Sequence, residues 1–188
     1  LETGRRALHN VLEIIGQQQE QAHTRPPLAQ VDLSDVVAQN AAIARYSGDA
    51  SIAFVFPSKP HWASANRVLL SQVIGNLFAN AGEAIVARGG DAGSINVTIA
   101  DLGDRVELTI ADNGEGFEPG TEPKFFQRGY STRPHKSGGL GLHWCANSML
   151  AMGGGLRLES DGRGAGARAV LTLPAPPEAA MPSVDLAA

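Results

Sequence analysis

Between Arg67 and Val86 the chain reads RVLLSQVIGNLFANAGEAIV, and this run governs what can be built around it. At about 100° per residue, Leu70, Val73, Ile74, Leu77, Ala81, Ala84 and Ile85 fall into one apolar stripe. The pattern predicts a helix over roughly 66–87 laid against a core. Asn76, Asn80 and Glu83 gather on the edge of that stripe, neither at its centre nor on the solvent side. An amide oxygen is a hard ligand, suited to a magnesium ion that keeps waters and meets phosphates. Two amides one turn apart can share a metal, a phosphate and a water. For an asparagine pair alone a solvent-facing polar edge is the better reading, and the rest of the chain reverses it.

The segments around this helix supply its partners. SIAFVF reads as a strand, and INVTIA and RVELTIA alternate on either side of a Gly-Asp turn, a hairpin. From 112 to 141 the chain is Gly-rich and irregular. A helix is predicted from about 141 to 152, with Leu142, Cys145, Ala146, Met149 and Leu150 on one face, followed by closing strands in GGGLRLES and ARAVLTLP. Upstream, VDLSDVVAQNAAIARY starts a helix with Asp32 or Ser34 as N-cap. Before it, the two prolines of HTRPPLAQ read as a hinge. Residues 5–22 carry a narrow stripe, Leu8, Val11, Leu12 and Ile15, that needs a partner helix to bury it. With 188 residues, 43% of them hydrophobic, the chain holds enough apolar surface for one core. The expected architecture is a two-layer α/β sandwich with helices on one face of the sheet. Its expected division is a helix over 1–24, a linker over 25–34, a domain over 35–174 and a disordered Pro/Ala-rich tail over 175–188.

A net charge of −4 gives no reason to expect nucleic acid or an anionic membrane as partner. No apolar run approaches the ~20 residues that span a bilayer. The single cysteine, Cys145, fits a reducing compartment, so a cytoplasmic location is expected. The chain opens in mid-helix pattern, as a piece of a longer protein would, and a membrane anchor elsewhere in that protein is compatible with it.

TIADNGEGF ends an alternating strand on Asp112, then Asn113, Gly114, Glu115 and Gly116. A carboxylate at a strand end can accept a hydrogen bond from an exocyclic amino group such as that of adenine. The glycines permit positive φ and close approach to a flat ring; a plain Asp-Asn-Gly turn is the alternative. In RGYSTRPHKSGGLGLHW, Gly138, Gly139 and Gly141 run into the 141–152 helix. Free N–H groups and the positive dipole end at such a helix start suit a phosphate. Ser131, Thr132 and Arg133 lie upstream, able to bring hydroxyls or a guanidinium to the same phosphates. The run lacks the lysine-bearing signature of a P-loop. Three such signals in this order are far more specific than any one.

Asn76-x-x-x-Asn80, Asp112-x-Gly114-x-Gly116, Phe125-Phe126 and Gly139-x-Gly141, in that order, resemble the N, G1, F and G2 boxes of sensor histidine kinases. These belong to the superfamily, built on the Bergerat ATP-binding fold, that also holds gyrase, MutL and a heat-shock chaperone. The resemblance covers about residues 30–174 and implies an α/β sandwich that holds ATP beneath a flexible lid. By position, Asn80 would ligate Mg²⁺ and Asn76 would assist at the metal, phosphate or water. Asp112 would bind the adenine amino group in a pocket shaped by Gly114, Gly116 and Phe117. The lid would run from about Glu118 to Gly138 and carry Phe125, Phe126, Tyr130 and Thr132. Gly138, Gly139, Leu140, Gly141 and Leu142 would line the phosphate side, with Ser131 and Arg133 from the lid. In hydrolysing relatives the position of Asn76 resembles a general-base glutamate. An amide takes no proton from water, so slow hydrolysis is implied.

Two positions depart from the family pattern. Glu83 stands where many members have a basic residue, which leaves Arg133 or Lys136 to neutralise the phosphates. Ser137 replaces the first glycine of the G2 box. The 5–22 helix and its linker resemble the second helix of the dimerisation and phosphoacceptor hairpin, implying a homodimer and a response regulator as partners. His9 is the one histidine in that helix, and a polar position on a dimer helix describes it better than a phosphoacceptor. His143 is expected to pack or face solvent, and His23, His61 and His135 to lie on the surface. The resemblance thus implies a kinase that phosphorylates a histidine. A serine kinase of the anti-sigma type and a degenerate nucleotide-binding docking module are the alternatives.

Overall fold

The computed structural model of the chain describes residues 26–47, 52–89, 92–128 and 141–177. The expected 5–22 helix with His9, and His23, lie outside these residues. So do the lid and phosphate-side positions Tyr130, Ser131, Thr132, Arg133, His135, Lys136, Ser137, Gly138, Gly139 and Leu140.

Seven strands and four helices are described: β1 (Ala29–Asp32), α1 (Leu33–Ser47), β2 (Ile52–Val55), β3 (Trp62–Ala65), α2 (Arg67–Arg88), β4 (Gly93–Asp101), β5 (Arg105–Asp112), α3 (Glu122–Phe125), α4 (Gly141–Ala151), β6 (Gly155–Glu159) and β7 (Ala167–Pro174). β2, β4, β5, β7 and β6, in that order, form a five-stranded sheet. β2 runs parallel to β4, and the remaining pairs are antiparallel. The predicted hairpin is β4–β5, closed by Leu102 N donating to Arg105 O at 2.8 Å, with Gly103 at φ 83°.

α2 is the central helix, packed on α1 and α4 at its sides and on β4 and β5 beneath. Its start is fixed by Asn66, whose Oδ1 accepts from Val68 N and Leu69 N, both at 3.1 Å. The predicted stripe is buried at Leu70, Val73, Ile74, Leu77 and Ala81, while Ala84 and Ile85 are half-buried. Leu69 and Phe78 are buried as well, because a helix flanked on three sides presents more than one stripe. Phe78 meets Phe54 of β2 edge-to-face, ring centroids 5.3 Å apart. Val97, Leu108, Ile110, Leu171 and Leu173 rise from the sheet to complete the core. On the open face, Arg157 pairs with Glu107 and Glu159, and Arg168 with Glu159 and Asp161. These pairs are exposed enough that solvent screens most of their energy.

Several expectations are corrected. The stretch taken as linker contains β1, which pairs antiparallel with β3 from Ala29↔Ala65 to Asp32↔Trp62, so ordered sheet begins before residue 35. Asp32 is the residue that caps α1: its Oδ1 accepts from Ser34 N at 3.0 Å and also from His61 N at 3.2 Å. Ser34 is buried and its hydroxyl donates to Lys59 O at 2.6 Å. His61 is half-buried beside it, Nδ1 2.9 Å from Lys59 O, and is not a simple surface histidine. On α4, Leu150 is 66% exposed, whereas Ser148 and, just beyond the helix, Met152 are buried. Ala175, placed in the tail by sequence, donates to Asp104 O at 2.9 Å and packs on the core.

Candidate functional site

Asp112 ends β5 half-buried, and two backbone groups hold one of its oxygens. Oδ1 accepts from Gly114 N at 2.8 Å and from Ala167 N at 3.3 Å. Among the described residues Oδ2 has no hydrogen-bond partner, yet it is not a buried orphan. The carboxylate is therefore locked by one edge and offers the other. Burial raises its pKa above the ordinary 3.8, the Gly114 and Ala167 N–H groups pull it back, and the Glu115 charge raises it. A half-desolvated acceptor of this kind gains most from an N–H donor that replaces lost water.

The glycines here serve the carboxylate's setting. A Cβ on Gly114 would lie 2.6 Å from Ala84 Cβ on α2, and Glu115 N donates to Ala84 O at 2.9 Å. Gly116 has φ 59°, and its Cβ would lie 2.4 Å from Gly162 O. The close approach expected toward a flat ring is thus already used against protein neighbours on the glycines' Cβ sides. Phe117 N donates to Ser160 Oγ at 3.1 Å, Ser160 Oγ donates to Gly166 O at 2.7 Å, and Gly164 N donates to Glu115 O at 2.6 Å. The β6–β7 turn in this way clamps residues 115–117.

α2 links this end of the site to the other. Ala84, Asn80 and Asn76 succeed one another at four-residue spacing along one face, so Asn76 lies about 12 Å from Ala84 along the helix axis. That span is comparable with an extended nucleoside triphosphate. Ala84 abuts Gly114 beside Asp112, Asn80 is exposed, and Asn76 is half-buried, its Nδ2 3.7 Å from Cys145 Sγ on α4. Burial holds the Cys145 thiol protonated, its pKa pushed up to about 12. The start of α4 at Gly141 thereby falls at the Asn76 end, where a Cβ on Gly141 would meet open space. Leu142 is half-buried and packs on the core. Glu83 is half-buried on the same helix, as predicted for the stripe's edge.

Of the lid, residues 118–128 are described. α3 is a single turn whose Phe125 meets Phe117 edge-to-face, centroids 4.9 Å apart. His143, expected to pack or face solvent, does more: Nδ1 is 3.0 Å from Phe126 O and Nε2 is 3.1 Å from Asn147 Nδ2.

Sequence reasoning missed Gly166, Ser160 and Asn113. Gly166 has φ 76°, and a Cβ there would lie 2.0 Å from Asp112 O, so only glycine lets the turn reach Asp112. The run of glycines in SDGRGAGA was the available signal. Asn113 Oδ1 accepts from Ser94 N at 2.9 Å and Nδ2 donates to Ala92 O at 3.1 Å, extending the β4–β5 pairing through a side chain. A lone Asn after Asp gives no hint of that.

Residues 65–177 match the family described as histidine kinase-, DNA gyrase B- and HSP90-like ATPase. The chain is 32% identical over 157 residues to the nitrogen regulation protein NtrY of Azorhizobium caulinodans, an alignment covering 80% of this chain and 20% of that one. It is 36% identical over 106 residues to the sensor protein CitS of Halalkalibacterium halodurans, covering 56% and 20%. The chain thus spans about a fifth of these relatives' length. Among solved structures it resembles a mycobacterial sensor histidine kinase, MprB, with TM-score 0.69 and 23% identity over 80% of this chain and 99% of that one. It also resembles full-length ShkA in complex with AMPPNP, with TM-score 0.75 and 26% identity over 93% and 37%.

Proposed function

Because the chain belongs to the family of histidine kinase-, DNA gyrase B- and HSP90-like ATPases, we propose that it is the ATP-binding catalytic part of a two-component sensor histidine kinase. In this reading the γ-phosphoryl of Mg-ATP goes to a histidine and then to an aspartate of a response regulator. The observation that carries it is Asp112, tied through Oδ1 and open through Oδ2, at one end of an α2 face that bears Asn80 and Asn76. The ATP analogue in ShkA and the sensor proteins NtrY and CitS support the same reading.

The donor set fits the nucleotide and its cation. Asp112 Oδ2 accepts the adenine amino hydrogen, a bond strengthened by the acceptor's charge. Asn80, exposed one turn from Ala84, presents an oxygen of the hard type magnesium prefers and would ligate it, with Asn76 assisting. The ion would supply charge neutralisation at the transferring phosphoryl. The N-terminus of α4 would receive phosphate at its free N–H groups. Asn76 cannot act as a general base, so the bound nucleotide stays intact until the acceptor histidine arrives. Dimerisation through residues 1–24 and a cytoplasmic setting complete the proposal, with no role for nucleic acid. Among the described residues no helix is long and apolar enough to cross a membrane.

The test uses the longer protein of which this chain is the catalytic part, incubated with γ-labelled ATP. Acid-labile, base-stable label is the expected product, and the isolated chain should hydrolyse ATP only slowly. Acid-stable label, the mark of phosphoserine, would refute the assignment.

A further inference from the structure

We infer that Cys145 is a positioning residue for Asn76, its sulfur taking the amide NH₂ so that the amide oxygen is the end left facing the nucleotide cleft. The inference rests on the proposed role of Asn76 at the metal and phosphate.

An Asn amide has two ends of nearly equal size and opposite chemistry, a double donor and an acceptor. Which one turns outward is decided by what the inward one meets. Asn76 Nδ2 meets Cys145 Sγ at 3.7 Å across the α2–α4 contact. Asn76 Oδ1 accepts no hydrogen bond among the described residues, and it is not among the buried polar atoms that lack a partner. It therefore has access to open space. Cys145 has no exposed surface, and among the described residues Asn76 Nδ2 is the side-chain donor that its sulfur meets.

An apolar residue at 145 would fill the space and leave both amide ends equally welcome. Half of the Asn76 population would then present NH₂ toward a cation and lose its use as a ligand. Serine would restore the preference, since a helical serine hydroxyl donates to the carbonyl one turn back and keeps lone pairs for the amide.

The experiment is calorimetric titration of the chain with a non-hydrolysable ATP analogue, in excess magnesium and in EDTA. The ratio of the two affinities reads the metal-dependent part of binding. Cys145→Val should lower that ratio about twofold, the loss expected when half of the Asn76 population is turned away from the cation, and leave EDTA affinity and the urea midpoint unchanged. Cys145→Ser should restore the ratio. Cys145→Ala, which adds no bulk, repeats the measurement should the valine perturb folding. In an Asn76→Ala background Cys145→Val should have no further effect on the ratio. A wild-type ratio in both Cys145→Val and Cys145→Ala, or an equal drop in the Asn76→Ala background, overturns the inference and leaves the role of Asn76 standing. An unchanged ratio in Asn76→Ala alone overturns the role of Asn76 itself, and this inference with it.

Discussion

Replacing Asp112 with Asn separates folding from recognition. The amide oxygen introduced by Asp112→Asn could still accept from Gly114 N and Ala167 N, as Asp112 Oδ1 does at 2.8 and 3.3 Å. The new NH₂ would then stand where Oδ2 now is, a donor facing the adenine amino donor. The loss has two parts: a charge-assisted hydrogen bond, about 1.5–3 kcal/mol, and a donor left unpaired on binding, about 1–3 kcal/mol. Together they predict weakening by about 2.5–6 kcal/mol, or roughly 10²- to 10⁴-fold in Kd. A base with a carbonyl in place of the amino group would suffer much less, so ATP should lose its advantage over inosine triphosphate. Stability should move the opposite way. Burial raises the folded pKa of Asp112 above its ordinary 3.8, so the folded state holds its proton more tightly than the unfolded state. Stability from this group is then present below pH 3.8 and lost as pH rises through the folded value. At neutral pH the ionised carboxylate costs stability that an amide does not. The nucleotide-free variant should therefore melt at or above the wild-type temperature at pH 7, with the difference vanishing in acid. Calorimetric titration with ATP and inosine triphosphate, beside thermal melts across pH, reads both effects. Unchanged ATP affinity would refute the adenine role of Asp112, and a strongly lowered melting temperature would refute the account of its hydrogen bonds.

Asn80→Ala should weaken nucleotide binding at least about tenfold in magnesium and little in EDTA, and equal losses in both would remove Asn80 from the metal site. Gly166→Ala must accommodate a Cβ 2.0 Å from Asp112 O at φ 76°. The strain of positive φ and the overlap should together cost about 2–4 kcal/mol of stability, read from the urea midpoint. ATP affinity should fall as well, because the turn carrying Ala167 N is pushed off Asp112; a variant with wild-type midpoint and affinity would contradict the close contact.

The sequence alone determined the parts whose logic is local. The stripe in α2, the alternation of β4 and β5 and the glycine that opens α4 are all periodic or conformational signals within a few residues, and each element formed as predicted. The half-buried edge position of Asn76 and Glu83 followed from the same helical period, whereas Asn80 is exposed. Tertiary structure decided what depends on distant partners. AQVD and WASA are too short and mixed to announce strands, and become β1 and β3 only because each supplies the other's hydrogen bonds. Leu150, expected on the buried face, is exposed, and Met152 is buried instead because α4 ends against the start of α2, where Asn66 N donates to Met152 Sδ at 3.4 Å. Gly166 matters only because the sheet order sets β7 beside β5, bringing its turn onto Asp112 from 54 positions along the chain (166 − 112). Likewise the meeting of Asn76 with Cys145 belongs to neither helix, since a side chain's partner is fixed by packing and its face by the helical period.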